Sequence, residues 1–322
     1  MAVHYPDYKA PFWMVNKHLE TIVPAMWRKV EAGPFRNERI TTPDNDFLDL
    51  DWLENGSHKA VILSHGLEGN SQRPYMIGMA KIFYSHGYDT INWNFRGCSG
   101  EINKQLRFYH SGATDDLDTV VRHVISTGKY DQINLIGFSL GGNLTLKYLG
   151  EQGEQAKELL SRAVAISAPL HLSDSCQAIS SLENSLYEKQ FLKELKQKVA
   201  QKAKLHPNEL DISALENINT LWDFDNQYTA PLHGFKDAED YYRKCSSLWS
   251  LKNIRIPTLI INAKNDTFLS ASCFPVKELD DNPWVELDIT AQGGHVGFAA
   301  TDDDGHYWSE KRALEFVESS NR

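Results

Sequence analysis

The sequence predicts an α/β protein: a mostly parallel sheet that starts with antiparallel strands and carries an inserted helical cap. Three observations lead there. From residue 59 onward, short continuous apolar runs alternate with helical stretches. An alternating apolar/polar strand pair precedes them. The strand–helix rhythm then stops between residues 170 and 250, and afterwards resumes. Alternation of this kind is the signature of parallel strands joined by right-handed crossovers.

The first 35 residues are rich in aromatics and prolines, as in PFWMVNKHLETIVPAMW. Two readings are open, a segment packed on the domain or a lipid-facing patch, and packing is the commoner fate of such residues. From Arg39, ERITT, the turn PDND and the alternating FLDLDWL form an antiparallel hairpin. KAVILSHG is continuously apolar, as expected of a strand buried on both faces. A helix over residues 74–86 follows, then the strand YDTINWNF, a helix over 114–126, the strand QINLIGF, a helix over 140–149 and the strand AVAISAP. In the 170–250 block, NSLYEKQFLKELKQKVAQKAK sets Leu186, Phe191, Leu195 and Val199 near helical spacing, with charge opposite. The strands IPTLIINA and WVELDIT and a helix near 306–319 close the pattern. The expectation is one domain over 1–322, with its core in 1–169 and 251–322 and the cap in 170–250.

Composition narrows the function. The chain has 322 residues, 41% of them hydrophobic, enough for a large core. A net charge of −10 without any Lys/Arg block speaks against a nucleic-acid partner. Cys98, Cys176, Cys245 and Cys273 lie far apart with no CxxC spacing, which favours reduced thiols over a disulfide framework or a metal site. The N-terminus lacks the basic and apolar regions of a signal peptide, and no run approaches the ~18–20 apolar residues of a transmembrane segment. A soluble, cytoplasmic protein is expected; its oligomeric state is open.

The chemistry gathers around INLIGFSLGGN. G-x-S-x-G is short, but here it follows an apolar strand and opens a helix. Such an elbow strains the backbone of the middle residue, Ser139, and projects its side chain from the sheet edge. Small neighbours let the two arms approach, and Gly142 lets the helix lie near the sheet. The competing reading is a serine N-cap after a glycine turn. A serine nucleophile needs a base. His295 in AQGGHVGF stands just after the last strand, and Asp266 in INAKNDTFL after the strand before it. The order Ser139, Asp266, His295 is that of α/β-hydrolases. Oxyanion donors are expected from the backbone N–H groups of Leu140 and of Leu67 in SHGLEGN, with His65 a structural hydrogen-bonder there.

Together HGLEG, NFRGCSG, YHSGATDDL, GFSLGGN, AKNDTF and GGHVGF resemble the bacterial YheT-type branch of the α/β-hydrolase superfamily. NKHLETI and FDNQYTAPLHGFKDAEDYYRKCS extend the likeness over nearly the whole chain. That branch is related to eukaryotic α/β-hydrolase-domain proteins and to yeast medium-chain ethyl ester synthases/esterases. The resemblance implies an α/β-hydrolase fold and esterase or acyl-transfer chemistry, with Ser139, Asp266 and His295 in the positions of nucleophile, acid and base. The animal relatives carry an N-terminal membrane anchor that this chain is expected to lack.

Other features weigh less. Cys98 reads as structural. His110 and Asp115 match a loose H-x4-D acyltransferase pattern, although Ser111 or Thr114 capping the next helix explains the stretch better. Glu68 has no evident role. The resulting reading is a serine esterase for acyl esters of short to medium chain, needing neither cofactor nor metal, with a small-molecule acyl ester as its partner. Acyl transfer or ester synthesis, thioester hydrolysis and amide hydrolysis use the same triad, and a non-catalytic ligand-binding protein is the rival outside enzymes.

Overall fold

The computed structural model describes residues 3–279, 282–301 and 304–319. Its first half comprises β1 (Val3–His4), α1 (Lys17–Trp27), β2 (Arg36–Thr41), β3 (Phe47–Leu53), β4 (Lys59–Ser64), α2 (Pro74–Ser85), β5 (Asp89–Trp93), α3 (Thr114–Ser126), β6 (Gln132–Phe138), α4 (Leu140–Gln152), α5 (Ala156–Leu159) and β7 (Arg162–Ile166). Five helices then intervene: α6 (Leu172–Ile179), α7 (Ser185–Leu205), α8 (Leu221–Phe224), α9 (Ala230–Leu232) and α10 (Ala238–Cys245). The chain ends with β8 (Thr258–Ala263), β9 (Val285–Thr290) and α11 (Trp308–Glu318).

Among the described residues the strands form one nine-stranded sheet in the order β1-β9-β8-β7-β6-β4-β5-β3-β2. β3 runs antiparallel to β2 and β5, and the remaining pairs are parallel. The continuous apolar runs have a simple cause. Ala60 and Ile62 of β4 point into the layer holding Leu117 and Val121 of α3 and Leu144 of α4. Val61 and Leu63 point into the layer of Met76, Met79 and Phe83 of α2. Both faces are dry, so no polar alternation is possible. Register then aligns the C-terminal strand ends: Ser64 lies opposite Gly137, Phe138 opposite Ile166, and Ala263 opposite Thr290. The loops leaving β4, β6, β8 and β9 therefore meet at one sheet edge, where open α/β sheets bind ligands.

FLDLDWL forms the expected antiparallel hairpin, with Asp51 buried and accepting from Ser71 Oγ (2.5 Å), Gln72 Nε2 (2.6 Å) and Asn37 Nδ2. One expectation needs correction. Leu186 is 77% exposed and lies off the buried stripe of α7, which runs Glu188, Leu192, Leu195, Val199, Lys202. The opening segment packs on the domain in part. It buries Tyr8, Met14 and one face of α1, while Phe12, Val15 and Trp27 stand in solvent. No helix among the described residues is long and apolar enough to cross a membrane.

Candidate functional site

Ser139 occupies the N-cap position of α4 with φ 53° and ψ −119°, and its side chain makes no capping bond. That conformation is sparsely populated by L-residues and costs on the order of 1–3 kcal/mol. The flanking glycines make it possible. A Cβ on Gly137 would lie 2.2 Å from Gly141 O, and one on Gly141 would lie 2.5 Å from Ser64 O. Freed from the cap, Ser139 Oγ sits 2.9 Å from His295 Nε2.

His295 Nδ1 is 2.8 Å from Asp266 Oδ2, which fixes the proton on Nδ1 and leaves Nε2 to accept. The other Asp266 oxygen accepts the Phe268 N–H at 2.9 Å, so the carboxylate is oriented from both sides. Asp266 is buried and the Phe268 ring packs 4.3 Å from the imidazole. Oγ–H, imidazole and carboxylate thus form one connected chain along which the hydroxyl can lose its proton to nitrogen.

The loop carrying His295 is strained, with φ 55° at Val296 and φ 42° at Phe298. Its support comes from the far end of the sequence. Glu20 Oε2 accepts from Asn265 Nδ2 (2.9 Å) and from Gly293 N–H (2.6 Å), bridging the Asp266 and His295 loops. Thr21 Oγ1 accepts the His295 N–H at 2.9 Å. Asn265 Oδ1 takes the Gly294 N–H (3.0 Å), and Ser167 Oγ takes that of Val296 (2.9 Å). Glu20 and Thr21 escaped the sequence reading. Their signal was a carboxylate and a hydroxyl inside NKHLETI, a stretch that carries the family likeness but was given no role at the site.

The loop after β4 passes over the serine. A Cβ on Gly66 would lie 3.2 Å from Ser139 Cβ, so only glycine lets the backbone come this close. Leu67, Leu140 and Ser139 line one cavity, and the Leu140 N–H belongs to the first turn of α4, which has no intrahelical acceptor. His65 ties the loop down. Its Nδ1 donates to Gly66 O at 2.7 Å and its Nε2 accepts the Phe95 N–H at 3.1 Å. Burial lowers its pKa to about 3, so it is neutral and remote from any base role. Glu68, unassigned from sequence, accepts from Tyr109 OH (2.6 Å) and from Lys198 Nζ of α7 (2.8 Å).

Two minor readings resolve. His110 and Asp115 do not pair: His110 Nδ1 accepts the Gly112 N–H (3.1 Å), while Asp115 binds Arg107 (2.8 Å). Nor does Ser111 or Thr114 cap α3, whose N-cap is Ala113 with no side-chain bond. The Tyr241 hydroxyl of α10 claims Ser111 instead, donating to its Oγ (2.9 Å) and accepting its N–H (3.0 Å). Two aspartates in the first turn of α3 favour the helix end in place of a cap. Cys98 is buried against Lys198 Nζ (3.1 Å), and burial pushes its thiol up to about 11, which leaves it inert. All four cysteines are free.

The family described as alpha/beta hydrolase fold matches residues 59–296. The chain is 37% identical to YheT of Escherichia coli (strain K12) over 88% of this chain and 84% of that one. It is 31% identical to the phospholipase ABHD3 of Mus musculus over 90% of this chain and 73% of that one. Among solved structures, the esterase Pf2001 of Pyrococcus furiosus superposes with a TM-score of 0.60 at 20% identity, covering 90% of this chain and 95% of that one. The chain belongs to the α/β-hydrolase fold family, in the branch that holds YheT.

Proposed function

We propose that this ester hydrolase works as a serine esterase on carboxylic esters of short to medium acyl chain. Ser139 Oγ attacks the ester carbonyl while His295 Nε2 takes its proton. Asp266 orients the imidazole and stabilises its cation without itself taking a proton. The N–H groups of Leu67 and Leu140 receive the oxyanion; each such donor is worth about 3–4 kcal/mol in the transition state. His295 then returns the proton to the leaving alcohol, and water resolves the acyl-enzyme by the same steps. The segment over residues 170–250 acts as a cap that forms the acyl pocket.

One observation carries the reading: Ser139 forgoes its helix-capping bond and presents Oγ to His295 Nε2 at 2.9 Å. The chain length is supported by the cavity above it, about 120 Å³ and walled by Leu172, Ile179, Phe191, Leu195 and Val199. So small an apolar space suits a chain of modest length. Treatment with a fluorophosphonate probe tests the mechanism. The adduct is expected on Ser139, absent in Ser139→Ala and strongly reduced in His295→Ala; a folded protein that never labels refutes it. A p-nitrophenyl ester series of rising chain length tests the pocket, and an optimum beyond about sixteen carbons contradicts the proposed preference.

A further inference from the structure

The cavity above Ser139 is mostly apolar along α6 and α7, and its wall holds a carboxyl group that the ester chemistry does not use. Between α8 and α9 the chain makes a single π-helical turn, Asp225–Thr229. Such widened turns occur frequently at functional sites. This one puts Asp225 in the lining of the cavity that also contains Ser139. The residue is only partly exposed, and its carboxyl group is enclosed by protein.

Its hydrogen bonds are few and all from neutral donors. Thr229 Oγ1 donates to Oδ1 at 2.6 Å and Tyr242 OH to Oδ2 at 2.7 Å. Among the described residues no lysine, arginine or histidine pairs with it. A carboxylate can accept about four hydrogen bonds, so roughly two acceptor positions are left without a donor among the described residues. Burial without a cation pushes the acid up to about 6, still largely ionised at neutral pH. An apolar side chain of like size would be cheaper at this place, whereas one of a few polar groups in a mostly apolar pocket serves to orient a ligand.

The chemistry of the missing donor follows from the surroundings. A quaternary ammonium is held against open aromatic faces. Tyr228, Tyr241 and Tyr242 are only 2%, 3% and 3% exposed, so they offer no such cage. A hydroxyl, which matches the two donors already present, needs only the free lone pairs. The geometry points to Asp225 as a subsite for a substrate hydroxyl, so that the favoured esters carry a free hydroxyl on the alcohol part or along the acyl chain. This inference rests on the serine-esterase reading of Ser139.

The test compares kcat/KM for three octanoyl esters in the full-length protein: ethyl octanoate, the glycerol monoester of octanoate, and ethyl 8-hydroxyoctanoate. A hydrogen bond to a charged acceptor is expected to favour one of the hydroxylated esters roughly 10- to 100-fold over ethyl octanoate. The glycerol ester gaining places the hydroxyl on the alcohol side, and the hydroxyacyl ester gaining places it along the chain. In Asp225→Asn the ratio falls below about threefold; because the readout is a ratio, a general loss of activity cancels, and heat unfolding checks that the variant is folded. Absence of any hydroxyl preference in the wild type, an unchanged ratio in Asp225→Asn, or a preference for octanoylcholine over both hydroxylated esters overturns the inference. Failure of Ser139 to label with fluorophosphonate defeats the underlying reading instead, and the two failures are separable.

Discussion

Thr21→Val removes one hydroxyl, nearly preserves shape, and so isolates a single strut of the His295 loop. Thr21 Oγ1 accepts the His295 N–H at 2.9 Å and itself donates to Lys17 O at 3.1 Å. An enclosed N–H left without an acceptor costs about 1–3 kcal/mol. The loop has little reserve against that loss, since Val296 and Phe298 hold positive φ at a cost on the order of 1–3 kcal/mol each. Losing the strut lets the strain move the imidazole off Ser139. At about 1.4 kcal/mol per decade, kcat/KM falls roughly 5- to 150-fold. The assay is p-nitrophenyl butyrate hydrolysis, with the fluorophosphonate labelling rate measured beside it. The loss is expected in kcat and in labelling, with KM nearly constant and the melting temperature lower by no more than a few degrees, since one bond among many is gone. Wild-type kcat in the variant, or a fall in melting temperature as large as the fall in activity implies, refutes the strut.

Other outcomes follow from the same structure. Gly66→Ala puts a Cβ 3.2 Å from Ser139 Cβ, forcing the Leu67 loop to yield by a few tenths of an ångström. Because small displacements of catalytic groups are expensive, kcat is expected to drop about tenfold at little change in KM; an unaltered kcat means the loop donor is not held by this contact. His65 is neutral in the fold, its pKa lowered from 6.5 to about 3, so the unfolded chain binds the extra proton and stability falls as pH drops below 6.5. Between pH 7 and pH 5 this one group removes about 2 kcal/mol. Denaturant titrations of the wild type and His65→Gln at both pH values should converge by that amount toward acid, and a pH-independent gap between them contradicts the assignment.

What the sequence made legible was whatever depends on near neighbours. The order of β4 to β9 could be read because each central strand is an apolar run between helices, and both sheet faces are buried. Ser139 could be read because Gly137 and Gly141 mark the elbow within two residues of it. His295 and Asp266 could be read from their places after the last two strands, and the structure brings both within hydrogen-bonding reach in one chain with Ser139. Contacts made across hundreds of residues could not. Nothing in the NKHLETI stretch says that Glu20 will bond Gly293, 273 positions away. Ser111 looked like a helix cap because capping is local; Tyr241, 130 positions on, took its hydroxyl instead. β1, two residues long, carries no periodicity to detect.

Helix α7 shows the same limit in its energetics. A search for apolar spacing finds Leu195 and Val199 but adds Leu186 and passes over Glu188 and Lys202, because two of the six buried positions of the helix are charged. Glu188 accepts from Ser180 Oγ (2.5 Å) and Leu221 N–H (2.9 Å). Lys202 donates to Asn103 O (2.6 Å), Asn103 Oδ1 (2.6 Å) and Gln105 O (2.5 Å), all on the loop between β5 and α3. Buried charges are tolerable only where such partners surround them: the Glu188 bonds hold the N-terminal turn of α7 within the 170–250 segment, and the Lys202 bonds fix its C-terminal half to the sheet domain. Lys198, one turn earlier, adds a bond to Glu68 beside Leu67. The other end of α7 is tied too: Tyr187 hydrogen-bonds His18 of α1 at 3.2 Å and Asn184 donates to Thr267 O at 2.7 Å, although Leu182 and Leu186 beside them are 94% and 77% exposed. Tyr187 meets the Phe268 ring edge to face, and Phe268 in turn packs on the His295 imidazole. One end of α7 is thus bonded to the loop of Leu67 through Lys198 and Glu68 and the other reaches the base through Phe268, so the helix spans both halves of the candidate site.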